Sequence, residues 1–203
     1  GRGQFVFQLI KRSPIVPQPG DLSLPGGMMH PLLDRLLRVV LIHGPFCVLV
    51  GKAREYALRQ DGRAFALISF FLTTALRESW EEIRLSPKSV RFLGPLPAYS
   101  LTLFRRTIFP LAGFVARPNT PRPNREVDRV VEIPIAEFFR NERFGCYQIE
   151  VPEGAAQEPL QYPCLIHRDS AGQDEVLWGA TFHIIVRFLE LALDYRLPEW
   201  KKG

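Results

Sequence analysis

Cysteine is scarce in this chain of 203 residues: Cys47, Cys146 and Cys164 are odd in number and far apart. They offer neither a disulfide framework nor a paired-cysteine metal site, and a reducing compartment, the cytoplasm, is the expected setting. Long hydrophobic runs are missing as well. The most apolar stretch, residues 39–50, is interrupted by His43, Gly44 and Pro45. That falls short of the roughly 18–20 residues needed to cross a bilayer, so no membrane span is expected. Basic residues form pairs rather than stripes (Lys11-Arg12, Arg105-Arg106, Lys201-Lys202), without zinc-finger spacing or an RNA-binding aromatic motif. A nucleic-acid partner is therefore not expected. The start Gly1-Arg2-Gly3 shows no basic-then-apolar leader; a start without Met can mark a trimmed N-terminus, which leaves organelle targeting open.

What is present is ordinary globular material, 46% hydrophobic and 23% charged, with a net charge of +5 that favours an anionic partner. The length suits one domain carrying an insertion. Residues 4–10 (QFVFQLI) read as a strand, followed by a stiff turn around Pro14, Pro17 and Pro19. Residues 20–27 (GDLSLPGG) are an extended piece closing on Gly26-Gly27, where the backbone can take positive φ or approach a ligand closely. Residues 28–71 then change character: apolar and small residues recur at helical spacing, with breaks at His43-Gly44-Pro45 and Asp61-Gly62. A helix is expected over 72–85, with Thr73 or Thr74 as its N-cap and Pro87 beyond its end. Strands are predicted over 89–96, 108–116, 127–133, 147–151 and 160–167, a short helix over 135–140, and an amphipathic helix over 181–195. Strands flanked by helices indicate an α/β sandwich.

The chemistry concentrates on the 72–85 helix. Ala75, Leu76, Ser79, Trp80 and Ile83 fall on one side and form a packing face. Glu78 and Glu82 are stacked four apart and Glu81 sits one step round, so three carboxylates share the other side of two turns. Like charges at that spacing repel, and Arg77 neutralises only part of the repulsion. A divalent cation is the natural partner; Mg2+ or Mn2+ suits carboxylate oxygens and leaves positions for water and phosphate. Taken alone, the motif also reads as a solvated helix face with an Arg77–Glu81 pair.

Gly26-Gly27 followed by Arg77-Glu78-Ser79-Trp80-Glu81-Glu82-Ile83, with Leu85 as the closing aliphatic residue, resembles the Nudix box. Arg12-Ser13 and the stretch from Gly20 through Leu24-Pro25-Gly26-Gly27 are similar to the coenzyme A pyrophosphatase branch of that family. So are Phe92-Leu93-Gly94-Pro95-Leu96, Asn124-Arg125-Glu126-Val127 and Leu177-Trp178-Gly179-Ala180-Thr181. The resemblance implies a Nudix-type α/β/α sandwich with a mixed sheet, a single domain over 1–203 in which 28–71 is a helical insertion. It implies a metal-dependent hydrolase that cleaves the diphosphate linkage of a nucleotide-like substrate, with coenzyme A or its esters as candidates.

Carried over by position, Glu78, Glu81, Glu82 and the Gly27 carbonyl hold the metal. Arg77 orients a glutamate, and Arg12, Ser13 and Gly26 contact substrate phosphate. Metal ions polarise phosphoryl oxygens and activate the attacking water; Glu126, Asp128, Glu153 and Glu158 are all available as its base. Three departures stand out. The box's first glutamate has no counterpart, since the family spacing lands on Ser69 counting back from Arg77 and on Leu33 counting on from Gly27. Arg84 replaces the late glycine, and the stretch between Gly27 and Arg77 is far longer than usual. These departures motivate the alternative reading, a catalytically degenerate nucleotide-binding or regulatory module on the same fold. The apolar insertion is read as capping the active site or forming a homodimer interface. His30, His43, His167 and His183 show no ligand spacing and are assigned structural roles. Trp80 and Trp178 are assigned to the core or to a pocket wall.

Overall fold

The computed structural model describes residues 3–44, 55–56, 59, 62–101, 106–117, 120–149, 160–169 and 171–198. Cys47, Val151, Glu153 and Glu158 lie outside the described residues. The chain forms two compact units, Gly1–Leu24 with Arg129–Gly203, and Pro25–Asp128.

The first unit holds β1 (Val6–Arg12), β2 (Leu22–Ser23) and most of β7 (Val127–Pro134), hydrogen-bonded in the order β2-β1-β7. Lys11 pairs with Leu22 and Ile10 with Ser23 in an antiparallel ladder. A second sheet, in the order β10-β9-β8, joins β8 (Phe144–Ile149), β9 (Leu160–Arg168) and β10 (Asp174–Leu177) by antiparallel ladders. Alternation dictates β7: Val127, Val131 and Ile133 are buried while Asp128 and Glu132 are exposed, the period of two that a half-buried strand requires. The long C-terminal helix spans Gly179–Leu193, and its Phe182, Ile185, Val186 and Leu189 recur at three-to-four spacing. They meet Leu9, Leu22, Ile133, Phe138, Leu165 and Leu177 in one core. A 3-10 turn over Ile135–Phe139 follows Pro134 where a short helix is expected.

The second unit contains α1 (Pro31–His43), α2 (Gly62–Ile83), the antiparallel pair of β3 (Val90–Pro95) with β6 (Leu111–Val115), and the pair of β4 (Tyr99–Leu101) with β5 (Arg106–Ile108). Leu41 of α1, Leu72 and Leu76 of α2, and Phe92 of β3 form its core. Two expectations are corrected here. The helix does not begin at residue 72 with a threonine cap: it already runs from Gly62 among the described residues. Thr73 and Thr74 are buried within it, and the Thr73 hydroxyl donates to the Ser69 carbonyl one turn back. The strand expected over 108–116 is cut in two at Phe109-Pro110, because proline has no N–H for a ladder; the Pro110 carbonyl instead accepts from the Leu96 N–H.

Candidate active site

Helix α2 sets the geometry. Glu78 and Glu82 project from successive turns, and Arg77 lies beside them with its side chain largely buried. Its Nη1 is 3.0 Å from Glu78 Oε1 and 3.0 Å from Glu81 Oε2, so one guanidinium edge holds two of the three carboxylates. Its Nη2 donates to the Met28 carbonyl at 2.9 Å, which ties the helix to the segment just after the glycine pair.

The remaining donor of Arg77 goes to a residue that spacing alone misses. Nε donates to Asp34 Oδ1 at 2.7 Å, and Asp34 is fully buried. Asp34 Oδ2 also accepts from the Thr74 hydroxyl and from the His30 N–H, each at 2.8 Å. His30 is the N-cap of α1, its Nδ1 accepting from the Leu33 N–H at 3.3 Å, and Pro31 follows at the first helical position. The first turn of α1 thus delivers a carboxylate to the arginine of the glutamate helix. Counting puts the box's first acid at Leu33 or Ser69, neither of them acidic; the buried acid beside Arg77 is Asp34, and Ser69 accepts from Arg38 Nε at 2.6 Å.

The glycine pair closes the site from the other side. Gly26 takes φ +152°, open only to glycine, and its N–H donates to Glu82 Oε2 at 3.0 Å. A Cβ on Gly27 would lie 2.5 Å from the carboxyl carbon of Glu78. The bare backbone at Gly27 is what lets that carboxylate lie against the loop. Gly27→Ala is accordingly expected to displace Glu78 and cut turnover by about tenfold or more, with little change in melting temperature, as measured by steady-state kinetics and thermal denaturation.

Burial sets the protonation of Glu78: it pushes the carboxyl above its ordinary 4.5, against the opposing pull of Arg77 and with support from the nearby charges of Glu81 and Asp34. For Asp34 burial also pushes upward, but the bonds from Arg77, the His30 backbone and Thr74, with the Arg77 charge, outweigh it and bring the carboxyl below its ordinary 3.8. Among the described residues no three His, Cys, Asp or Glu side chains stand close enough together to hold a metal ion. The donors nonetheless fit a hard divalent cation in kind: carboxylate oxygens on successive helical turns, beside a loop carbonyl with no side chain to crowd it.

Comparison with known proteins gives this arrangement its family. No family model matches the chain. NudL of Pectobacterium atrosepticum, described as an uncharacterized Nudix hydrolase, is 32% identical over 177 residues, 81% of this chain and 86% of its own length. The chain belongs to the Nudix hydrolase family. NudL of Yersinia enterocolitica, also an uncharacterized Nudix hydrolase, is 28% identical over 194 residues, 93% of either chain. Membership makes the protein a Nudix pyrophosphohydrolase, and its helices and antiparallel sheets are those of an α/β Nudix fold. Among the described residues no helix of this Nudix hydrolase is long and apolar enough to cross a membrane.

Of the site residues read from the sequence, Gly26, Gly27, Arg77, Glu78, Glu81 and Glu82 come together in the second unit. Arg12 and Ser13 belong to the first, at the end of β1. Arg12 is engaged with its own turn, Nε donating to the Pro17 carbonyl at 2.7 Å, and Ser13 is buried. Glu126 and Asp128 are both exposed, with the Glu126 N–H bonded to Asn124 Oδ1 at 2.8 Å. Trp80 departs from the expected packing face: Leu76, Ser79 and Ile83 are buried, but Trp80 is 45% exposed.

Proposed function

We propose that this Nudix hydrolase cleaves the diphosphate bond of a nucleoside diphosphate conjugate, coenzyme A or one of its esters, with Mg2+ or Mn2+ held by Glu78, Glu81, Glu82 and the Gly27 carbonyl. The observation that carries the reading is Arg77, which binds Glu78 and Glu81 with one guanidinium edge while Asp34 fixes its Nε. The coenzyme A assignment is supported by the likeness of Arg12-Ser13, of Gly20 through Gly27, and of Leu177 through Thr181 to that branch of the family. Residues 1–203 are read as one Nudix domain, with 28–71 as a helical insertion between the glycine loop and the glutamates of α2.

When bound, the divalent ion supplies positive charge to the phosphoryl oxygens and to the attacking water. The chain's own residues do the positioning. Arg77 limits the rotamers of two acids, the Gly26 N–H holds the third, and Gly27 keeps the loop close to Glu78. In the reaction a water oxygen bonds to phosphorus, the bridging P–O bond breaks, and the two fragments leave as phosphomonoesters with the proton passing to solvent. Over the alternative of a degenerate, non-catalytic module, this reading is supported by Asp34, which supplies Arg77 with a buried carboxylate.

Incubation with Mg2+ or Mn2+ and a panel of coenzyme A, its esters and nucleotide sugars tests the proposal. Metal-dependent release of two phosphomonoesters from the coenzyme A members, abolished by a chelator, is the expected result. No turnover of any member would contradict the enzymatic reading, whereas turnover of nucleotide sugars alone would overturn only the substrate.

A further inference from the structure

Arg84 stands where the backbone asks for glycine. Its φ is +58°, the left-handed conformation of a helix C-cap, and its N–H closes α2 on the Trp80 carbonyl at 3.0 Å. Glycine takes this conformation without strain, and any residue with a Cβ does not. Local strain retained by a surface residue calls for a use of its side chain. The guanidinium of Arg84 lies over the Trp80 ring, 5.5 Å from its centroid.

Beside this pair opens a cleft of about 780 Å3, lined among others by Trp80, Arg84, Ser86, Thr120, Arg122 and Asn124. Its wall is fixed to the helix end: the Arg122 N–H donates to the Ile83 carbonyl at 2.9 Å and the Asn124 N–H to the Glu82 carbonyl at 2.8 Å. No carboxylate is among the described residues that line it, which bring two arginines together with hydroxyls, an amide and an exposed indole. Guanidiniums match phosphate oxygens in charge and fork geometry, and indole stacks on a planar base. The cleft lies on the side of α2 away from Glu78 and Glu82, with Glu81 about 100° round from Trp80. At roughly 100° per residue, Trp80 is about 200° round the helix from both Glu78 and Glu82.

We propose that this cleft is a second anion site, separate from the glutamates, which binds the phosphate and base of a mononucleotide without metal. Calorimetric titration in a chelator, with adenosine monophosphate and with inorganic phosphate, tests it on the wild type and on Arg84→Gly, Arg122→Ala and Glu82→Gln. Wild type is expected to bind the nucleotide more tightly than phosphate. Arg84→Gly and Arg122→Ala each weaken that binding about tenfold or more, as expected for loss of a charge-assisted contact. Glu82→Gln leaves it unchanged, and Arg84→Gly melts at or above the wild-type temperature because its strain is relieved. The proposal is overturned if wild type does not bind the nucleotide, if phosphate binds equally well, or if Arg84→Gly binds as tightly as wild type. Equal weakening by Glu82→Gln would also overturn it, by placing the nucleotide at the glutamates.

Discussion

Glu82→Gln is expected to lower kcat about a hundredfold to a thousandfold while the protein stays folded, a loss of ~3–4 kcal/mol of transition-state stabilisation. Glu82 is buried and its Oε2 accepts the Gly26 N–H at 3.0 Å. Glutamine keeps an oxygen for that bond, so the loop and the left-handed Gly26 are retained. What glutamine lacks is the negative charge that the proposed cation needs. Steady-state kinetics across a range of Mn2+ concentrations, with a thermal melt of the same sample, separates the two effects. Partial recovery at high Mn2+ with an unchanged melt supports a metal-holding role. Unchanged kcat would remove Glu82 from the chemistry.

Asp34→Asn has the largest expected effect on stability, a loss of about 3–5 kcal/mol, because it leaves the buried Arg77 guanidinium without its closest anion. Three bonds converge on the Asp34 carboxylate, from Arg77 Nε at 2.7 Å, His30 N at 2.8 Å and Thr74 Oγ1 at 2.8 Å. The pH dependence has a defined sign. The folded carboxyl sits below its ordinary 3.8, so its stabilisation is present above that pH and is lost as pH falls through the lowered value. Denaturant melts of wild type and variant should therefore differ most near neutrality and converge in acid. A variant as stable as wild type at pH 7 would show that Arg77 does not depend on Asp34. Turnover should fall too, since Arg77 orients Glu78 and Glu81.

Much of the fold is legible in the sequence where one period dominates. Val127, Val131 and Ile133 announce β7, and Phe182, Ile185, Val186 and Leu189 announce the C-terminal helix. The glutamate helix is legible as chemistry but not as an element. Apolar residues 64–72 continue its period, so the turns from Gly62 onward are hidden inside what reads as insertion. Strand β10 goes unread because its four residues, flanked by a turn, carry two acids. Asp34 escapes because fixed spacing presumes a contiguous box, whereas folding brings α1 and α2 together across 43 residues of sequence. The substitution of Arg84 for glycine is visible at once, but its left-handed φ and its place over Trp80 need coordinates. Trp80 is grouped with the packing face for a related reason, because a helical wheel cannot tell a core face from a cleft wall.

In the proposed chemistry the carboxylates of α2 hold a divalent cation against the substrate's diphosphate. Electron paramagnetic resonance of Mn2+ titrated into the folded protein, with coenzyme A present, tests it most directly. Bound Mn2+ is expected in the wild type and its loss in Glu78→Gln and in Glu82→Gln, with both variants still folded. Absence of bound Mn2+ in the wild type at saturating coenzyme A, or undiminished binding in both variants, would contradict it.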